Sequence, residues 1–240
     1  MPLPRDIRAV TFDCFGTLID WNAGIGRFVA NWASQNGLSD RIDPLMRELG
    51  AAQRRHQVAR PFKPYRAVLR AAFLGLAKAH AIARADADAD RFSRSVATWP
   101  AFPDTLTGLA HLKQVALIGV MSNVDDESFA DVQRERLGNL VDEVVTADEV
   151  RAYKPDHAHF EAMERRLCGH GIGKASWLHV AQSRFHDIAP CLDLGIACIW
   201  LDRIGTRRER GMTIFAADAE ADLTVTGMAH VVAAVEAARG

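Results

Sequence analysis

The sequence lacks an excess of charge of either sign: 29 Lys and Arg stand against 30 Asp and Glu. A general nucleic-acid or membrane-surface binder draws its affinity from surplus positive charge, so neither partner is expected. Long apolar runs are missing as well, and none approaches the roughly 18 residues that a membrane span needs. The opening Met1-Pro2-Leu3-Pro4-Arg5-Asp6 has no charged segment followed by an apolar stretch, so no secretory signal is expected. Cysteine is scarce. Cys14, Cys168, Cys191 and Cys198 show no CxxC spacing, which speaks against a zinc site or a disulfide framework and for reduced thiols. The expected location is therefore the cytoplasm. No internal repeat is visible.

What is present is an alternating grammar. Ala9-Val10-Thr11-Phe12 is a short apolar run that ends in Asp13-Cys14-Phe15-Gly16-Thr17, as a buried parallel strand ends in a loop. Val115 to Met121 runs into Ser122-Asn123, Trp177 to Ala181 into Gln182-Ser183, and Ile196 to Leu201 into Asp202-Arg203. A shorter run, Glu143 to Thr146, precedes the segment carrying Lys154. Helical patterns lie between them: Thr105 to Lys113, with Asp104 as its N-cap, and His157 to Leu167. Alternation of this kind predicts an α/β fold, a Rossmann-like, doubly wound parallel sheet. Ligands then bind at the carboxyl ends of the strands, the edge where Asp13, Ser122 and Gln182 fall.

The stretch from Trp21 to Trp99 breaks the pattern. It has no strand-like run and reads as four amphipathic helices, Gly26–Asn36, Pro44–Val58, Tyr65–Ala83 and Asp88–Ala97, with Pro61 and Pro64 separating the second from the third. The repetitive Ala85 to Asp90 reads as a solvated loop and helix start. The division expected is a core of residues 1–20 and 100–240 with an inserted helical cap of residues 21–99.

Four polar clusters carry the chemistry. An Asp at the mouth of a buried strand is costly unless paired. Gly16 permits a tight turn that bares backbone N–H groups toward Asp13, and Thr17 can hold the carboxylate. Ser122 and Asn123 can bind a carboxylate or phosphate, or can form a simple turn. Lys154, fixed by Pro155, could hold Asp13 ionised as a nucleophile requires. Asp187, in the loop Gln182 to Asp187, could pair with Lys154 or orient water, and His186 beside it reads chiefly as a helix-start residue. Each cluster alone has an ordinary structural explanation. Four of them, each following a separate apolar strand, make a joint signal.

These segments resemble the four motifs of the haloacid dehalogenase superfamily. Phe12-Asp13-Cys14-Phe15-Gly16-Thr17-Leu18-Ile19-Asp20 is similar to the first motif as it occurs in the type II L-2-haloacid dehalogenases; Ser122-Asn123, Lys154-Pro155 and Asp187 are similar to the other three. The resemblance implies a catalytic set of Asp13, Thr17, Lys154 and Asp187. Around the substrate it implies Cys14, Phe15, Trp21, Ser122, Asn123 and Gln182, with Arg54 or Arg55 from the cap holding the leaving halide and Phe62 lining the pocket. Phosphatases of the superfamily place a second Asp where this chain has Phe15, and magnesium-dependent members begin the fourth motif with an acid where it has Gln182. Both differences point to carbon–halogen cleavage with no metal or other cofactor. The implied reaction is attack of Asp13 on the α-carbon of a small 2-haloalkanoate, then hydrolysis of the aspartyl ester to the 2-hydroxy acid. The chain departs from type II enzymes in Gln182 and Arg184, where they carry Ser and Asn, and in Phe160, where they carry Tyr. A hydrolase opening another small carboxylic acid, such as a strained-ring amino acid, is the alternative. A phosphonate hydrolase using cap lysines Lys63 or Lys78, a phosphatase and a non-catalytic relic rank below it. A homodimer is expected by resemblance alone.

Overall fold

The structure, a computed structural model, describes residues 3–203 and 219–238. The expected core segments also contain residues 1–2, 204–218 and 239–240, which lie outside the described residues.

Among the described residues, six strands form one parallel sheet: β1 (Ala9–Phe12), β2 (Leu117–Ser122), β3 (Glu143–Thr146), β4 (Trp177–Ala181), β5 (Ala197–Leu201) and β6 (Leu223–Val225). Their spatial order is β3-β2-β1-β4-β5-β6, so the chain winds outward from β1 in both directions. The sheet is Rossmann-like and doubly wound, and its switch point lies at the carboxyl end of β1. Phe12 stands in register with Val120 of β2 and Val180 of β4, which sets the loops after these three strands side by side. β1 is buried on both faces, as a central parallel strand must be. Val10 and Phe12 join the apolar cluster that continues into the helical insert, whereas Ala9 joins a second cluster with Met121, Phe160 and Trp177.

Four helices follow β1: α1 (Trp21–Gln35), α2 (Ile42–Val58), α3 (Tyr65–Ala79) and α4 (Asp86–Ser93). They form the cap. The core resumes with α5 (Thr105–Leu112), α6 (Asp126–Arg136), α7 (Ala147–Val150), α8 (Ala158–Gly169), α9 (Ala189–Leu194) and α10 (Met228–Ala237). The two connections between cap and core run together: Ile19 bridges Ala101, Asp20 N–H bonds Pro100 O at 2.8 Å, and Phe102 N–H bonds Leu18 O at 3.0 Å. Arg66, at the start of α3, fastens the cap to α6 through Ser128 Oγ at 2.9 Å, Glu127 at 2.5 Å and Asp131 at 3.3 Å. Tyr153 Oη donates to Lys63 O at 2.7 Å, one residue before Lys154.

Several boundaries differ from the sequence reading, each for a local reason. α1 starts five residues early because Asp20 caps it, accepting from Ala23 N–H at 3.0 Å. Asp104 does not cap α5 with its side chain; its carboxylate takes the Arg203 guanidinium at 2.7 and 2.8 Å and Met228 N–H at 2.9 Å. The last cap helix ends at Ser93, where Ser93 and Ser95 hydroxyls bond back to the carbonyls of Asp90 and Phe92, and a tight turn over Ser95–Thr98 follows. Val115 and Ile196 belong to turns closing α5 and α9, so β2 and β5 begin after them. No helix among the described residues is long and apolar enough to cross a membrane.

Candidate active site

The loop after β1 is wound about one carbonyl. Cys14 O accepts from Thr17, Leu18 and Ile19 N–H at 3.3, 2.8 and 3.0 Å. Gly16 has φ +103°, a backbone conformation that calls for glycine, and a Cβ there would crowd Gln182 Oε1 and Trp21 Nε1, both 3.1 Å away. The turn brings Thr17 Oγ1 to 2.8 Å from Asp13 Oδ2, and the same hydroxyl oxygen accepts Gln182 N–H at 3.0 Å. Thr17 thus ties the β1 and β4 loops together while holding the carboxylate. Its own carbonyl accepts Arg203 Nε at 3.0 Å.

Lys154 reaches the same carboxylate from the other side. Its ammonium is buried and donates to three acceptors: Asp13 Oδ1 at 3.0 Å, Asp187 Oδ1 at 2.5 Å and Met121 O at 2.8 Å. Three donors meet three acceptors, which satisfies the charge in a place where an unpaired ammonium would be costly. Asn123 fixes the lysine backbone from both ends, accepting Lys154 N–H at 2.7 Å and donating to Lys154 O at 3.2 Å. Asp187 sits in a wide turn over Arg184–Ile188, in which Ser183 O accepts from both Asp187 and Ile188 N–H at 3.2 Å.

The charges compete. Burial, and the neighbouring Asp187, raise the pKa of the Asp13 carboxyl from its ordinary value against the pull of Lys154. Burial also opposes ionisation of Asp187, but Lys154 and His179 outweigh it and hold its pKa at about 2. Burial would lower Lys154, but the two carboxylates outweigh it and hold the lysine above its ordinary value. The ammonium therefore favours Asp187, and Asp13 is the more easily protonated of the two acids.

A cavity of about 150 Å³ opens on this cluster. Of the residues expected around it, Asp13, Phe15, Trp21, Arg54, Ser122, Asn123, Lys154, Gln182 and Asp187 line it. Phe15 packs against Tyr65 at 6.4 Å and edge-on to Trp99 at 5.3 Å. The place beside Asp13 is thus filled by an aromatic cluster. Other expectations are corrected. Arg55, one residue and about 100° further round α2 than Arg54, is exposed and outside the lining. The Cys14 side chain is buried in the core, so its part is confined to its backbone. Phe62 stacks on Tyr153 at 5.2 Å with the Arg151 guanidinium over its ring, away from the cavity. Arg184 lies over the Trp200 ring at 3.7 Å. Neither Lys63 nor Lys78 reaches the lining.

The cap and the fourth loop add residues the sequence reading passed over: Gly50, Gln53, Gln57, Tyr65 and Ser183. Gln53, Arg54 and Gln57 recur at helical spacing on α2, and that polar stripe was the available signal. His186 also lines the cavity; Ser183 Oγ lies 3.0 Å from its Nδ1, and burial pushes it down to about 4. Ser122 Oγ and Asp187 Oδ2 are buried without a hydrogen-bond partner in the protein.

Comparison with known proteins bears on the family and the fold. The family model described as haloacid dehalogenase-like hydrolase matches residues 7–180, well over half of the chain. A search of curated proteins finds no match. Among solved structures, a defluorinating L-2-haloacid dehalogenase shares 22% identity at TM-score 0.79, covering 98% of this chain and 99% of its own. The L-2-haloacid dehalogenase from Xanthobacter autotrophicus with chloropropionic acid covalently bound shares 18% at TM-score 0.78, covering 96% and 98%. A Bacillus subtilis protein, YfnB, named as a HAD hydrolase and bound to magnesium, shares 12% at TM-score 0.78, covering 96% and 99%. At these identities the structural likeness speaks for the fold, and the family match carries the assignment: the chain belongs to the haloacid dehalogenase-like hydrolases.

Proposed function

We propose that this hydrolase converts a small 2-haloalkanoate, a haloacetate or L-2-haloacid, to the 2-hydroxy acid through an ester on Asp13. The observation that carries the reading is the pairing at that residue. Its carboxylate is held by Thr17 and Lys154 at the wall of a small cavity, and Phe15 fills the neighbouring place with a ring that can neither give nor take a proton. A halide leaves as a stable anion and needs no such donor; an alkoxide leaving from a phosphate ester does.

In the first step an oxygen of Asp13 attacks the α-carbon in line. The new C–O bond forms as the carbon–halogen bond breaks, and halide departs with the electron pair. Ser122 Oγ, unpartnered in the protein, would hold the substrate carboxylate, and Arg54 would face the departing halide. In the second step water attacks the ester carbonyl carbon of Asp13 and the hydroxy acid leaves with inverted configuration. Lys154 keeps Asp13 ionised for the first step and, with Asp187, places the water for the second. Enclosure under the cap supplies positioning and water exclusion.

The donor set does not suit magnesium. The carboxylates at hand are Asp13 and Asp187, and both already turn Oδ1 to the Lys154 ammonium, while Gln182 offers only a neutral amide.

The test is single-turnover hydrolysis of chloroacetate and L-2-chloropropionate in heavy-oxygen water, with and without EDTA. The label is expected in the Asp13 side chain and not in the first-formed product, with halide release indifferent to EDTA. Asp13→Asn is expected to stay folded and release no halide. Magnesium-dependent release of phosphate from p-nitrophenyl phosphate, without halide release, overturns the reading.

A further inference from the structure

β4 runs through the middle of the sheet as Trp177-Leu178-His179-Val180-Ala181, and His179 is its one ionisable side chain. It is fully buried, in register with Thr11 on β1 and Cys198 on β5. An imidazole there has lost its water and must find partners. It finds two. Nδ1 lies 2.9 Å from Thr11 Oγ1, and Nε2 lies 3.2 Å from Asp187 Oδ1. Thr11 Oγ1 in turn accepts from Trp177 Nε1 at 2.7 Å, and the ring of Phe160 packs edge-on at 5.7 Å.

The polarity of this chain is read from its two ends together, the indole that donates and the Asp187 carboxylate that accepts. An indole N–H can only donate. Thr11 Oγ1 accepts it and keeps one proton of its own, for which His179 Nδ1 is the acceptor within reach. Nδ1 is then an acceptor, the ring proton sits on Nε2, and that N–H points at Asp187. Asp187 Oδ1 thus takes two donors, Lys154 Nζ at 2.5 Å and His179 at 3.2 Å, while Oδ2 of this cavity-lining residue is buried and has none.

We propose that His179 is a positioning residue for ester hydrolysis. Its Nε2–H, with the tautomer set by Trp177 and Thr11, pins Oδ1 of Asp187 so that Oδ2 is presented to the attacking water. As the water oxygen bonds to the ester carbonyl carbon of Asp13, one proton passes along its hydrogen bond to Oδ2. When the bond from that carbon to the ester oxygen breaks, the same proton goes to the departing alkoxide, giving the 2-hydroxy acid. The second water proton leaves Asp13 as it ionises again. The kinetic half of this inference rests on the reading of Asp13 as nucleophile; the tautomer does not.

Two measurements test it. Nitrogen-15 NMR of the histidine rings, with His179 assigned by comparison with His179→Gln, is expected to show a protonated Nε2 and a bare Nδ1. Thr11→Val is expected to abolish that preference. An Nδ1–H tautomer or an imidazolium at neutral pH overturns the proposal. In single turnovers of chloroacetate, His179→Leu is expected to release halide within about twofold of the wild-type rate. Its Asp13 ester, read by mass spectrometry, is expected to persist about tenfold longer or more, since misplacing a reacting group is costly. His179→Gln, whose amide N–H can replace Nε2–H, is expected to restore ester hydrolysis. Equal slowing of both steps in His179→Leu, with no ester accumulating, overturns the proposal. Should His179→Leu fail to fold, Thr11→Val carries the same comparison. Absence of halide release by wild-type protein defeats the Asp13 reading instead, and the tautomer remains decided by NMR.

Discussion

Two carboxylates that share one ammonium do not titrate independently. Asp187 is held at about 2 and Asp13 is raised, so acidification first removes the charge on Asp13. The acid limb of halide release in single turnovers is therefore expected to have its midpoint above the ordinary aspartate value of about 3.9. Asp187→Asn removes a like charge that raises Asp13 and leaves Lys154 to Asp13 alone. Both changes lower the Asp13 pKa, so the limb is expected to move to lower pH; a move upward would contradict the charge assignment. At this scale the sequence was most legible where a polar residue followed an apolar strand, since topology alone brings strand ends together. Asp13, Ser122, Lys154 and Asp187 were found that way. Asn123 lines the cavity as expected, yet both ends of its amide are taken by the Lys154 backbone, which no spacing could disclose. His179 was visible as a polar interruption in a buried strand, but its partner Thr11 lies 168 residues away and only the sheet register joins them.

Elements are fixed by caps and close approaches as much as by periodicity. α1 crosses Trp99 so tightly that a Cβ on Gly24 would fall 2.3 Å from Trp99 Cγ and 2.7 Å from its Cβ. Trp99 is fully buried and packs on Phe15. Gly24→Val is expected to destabilise the protein by about 1–3 kcal/mol, because overpacking outweighs the several tenths of a kcal/mol that valine gains over glycine in a helix. A lower urea midpoint checks this, and turnover should fall with it because Phe15 moves with Trp99; an unchanged midpoint would show that the contact relaxes freely. The four cap helices were legible from their apolar stripes. The end of α2 at Val58 and the start of α3 at Tyr65, set off by Pro61 and Pro64, were legible too, but the start of α1 and the end of α4 were not, since Asp20, Ser93 and Ser95 act through hydrogen bonds that a hydrophobic pattern does not record. β6 was missed because three residues are too short to carry a period.

For the molecule as a whole, alternation of strands and helices was enough to foresee a doubly wound sheet with an insert after β1, because right-handed crossovers leave few alternatives. How the insert sits on the core was beyond reach. It depends on Arg66 finding Ser128 and the acids of α6 and on Tyr153 reaching Lys63 across 90 residues, pairings far apart in sequence with no pattern of their own. These contacts secure the cap beside Lys154, so the cavity is formed with its lid in place.

One wall of that cavity is Trp21, the first residue of α1, while Trp32, Trp99 and Trp177 are buried elsewhere and Trp200 lies under Arg184. An indole whose surroundings change when the cavity fills is a built-in optical gauge. Titration with propionate, which has no leaving group, is expected to alter the intrinsic emission saturably, and Trp21→Phe to remove most of the response. If the response survives in that variant, the signal comes from another indole. Otherwise, occupancy of this pocket can be followed by light for any small acid, whether or not it reacts.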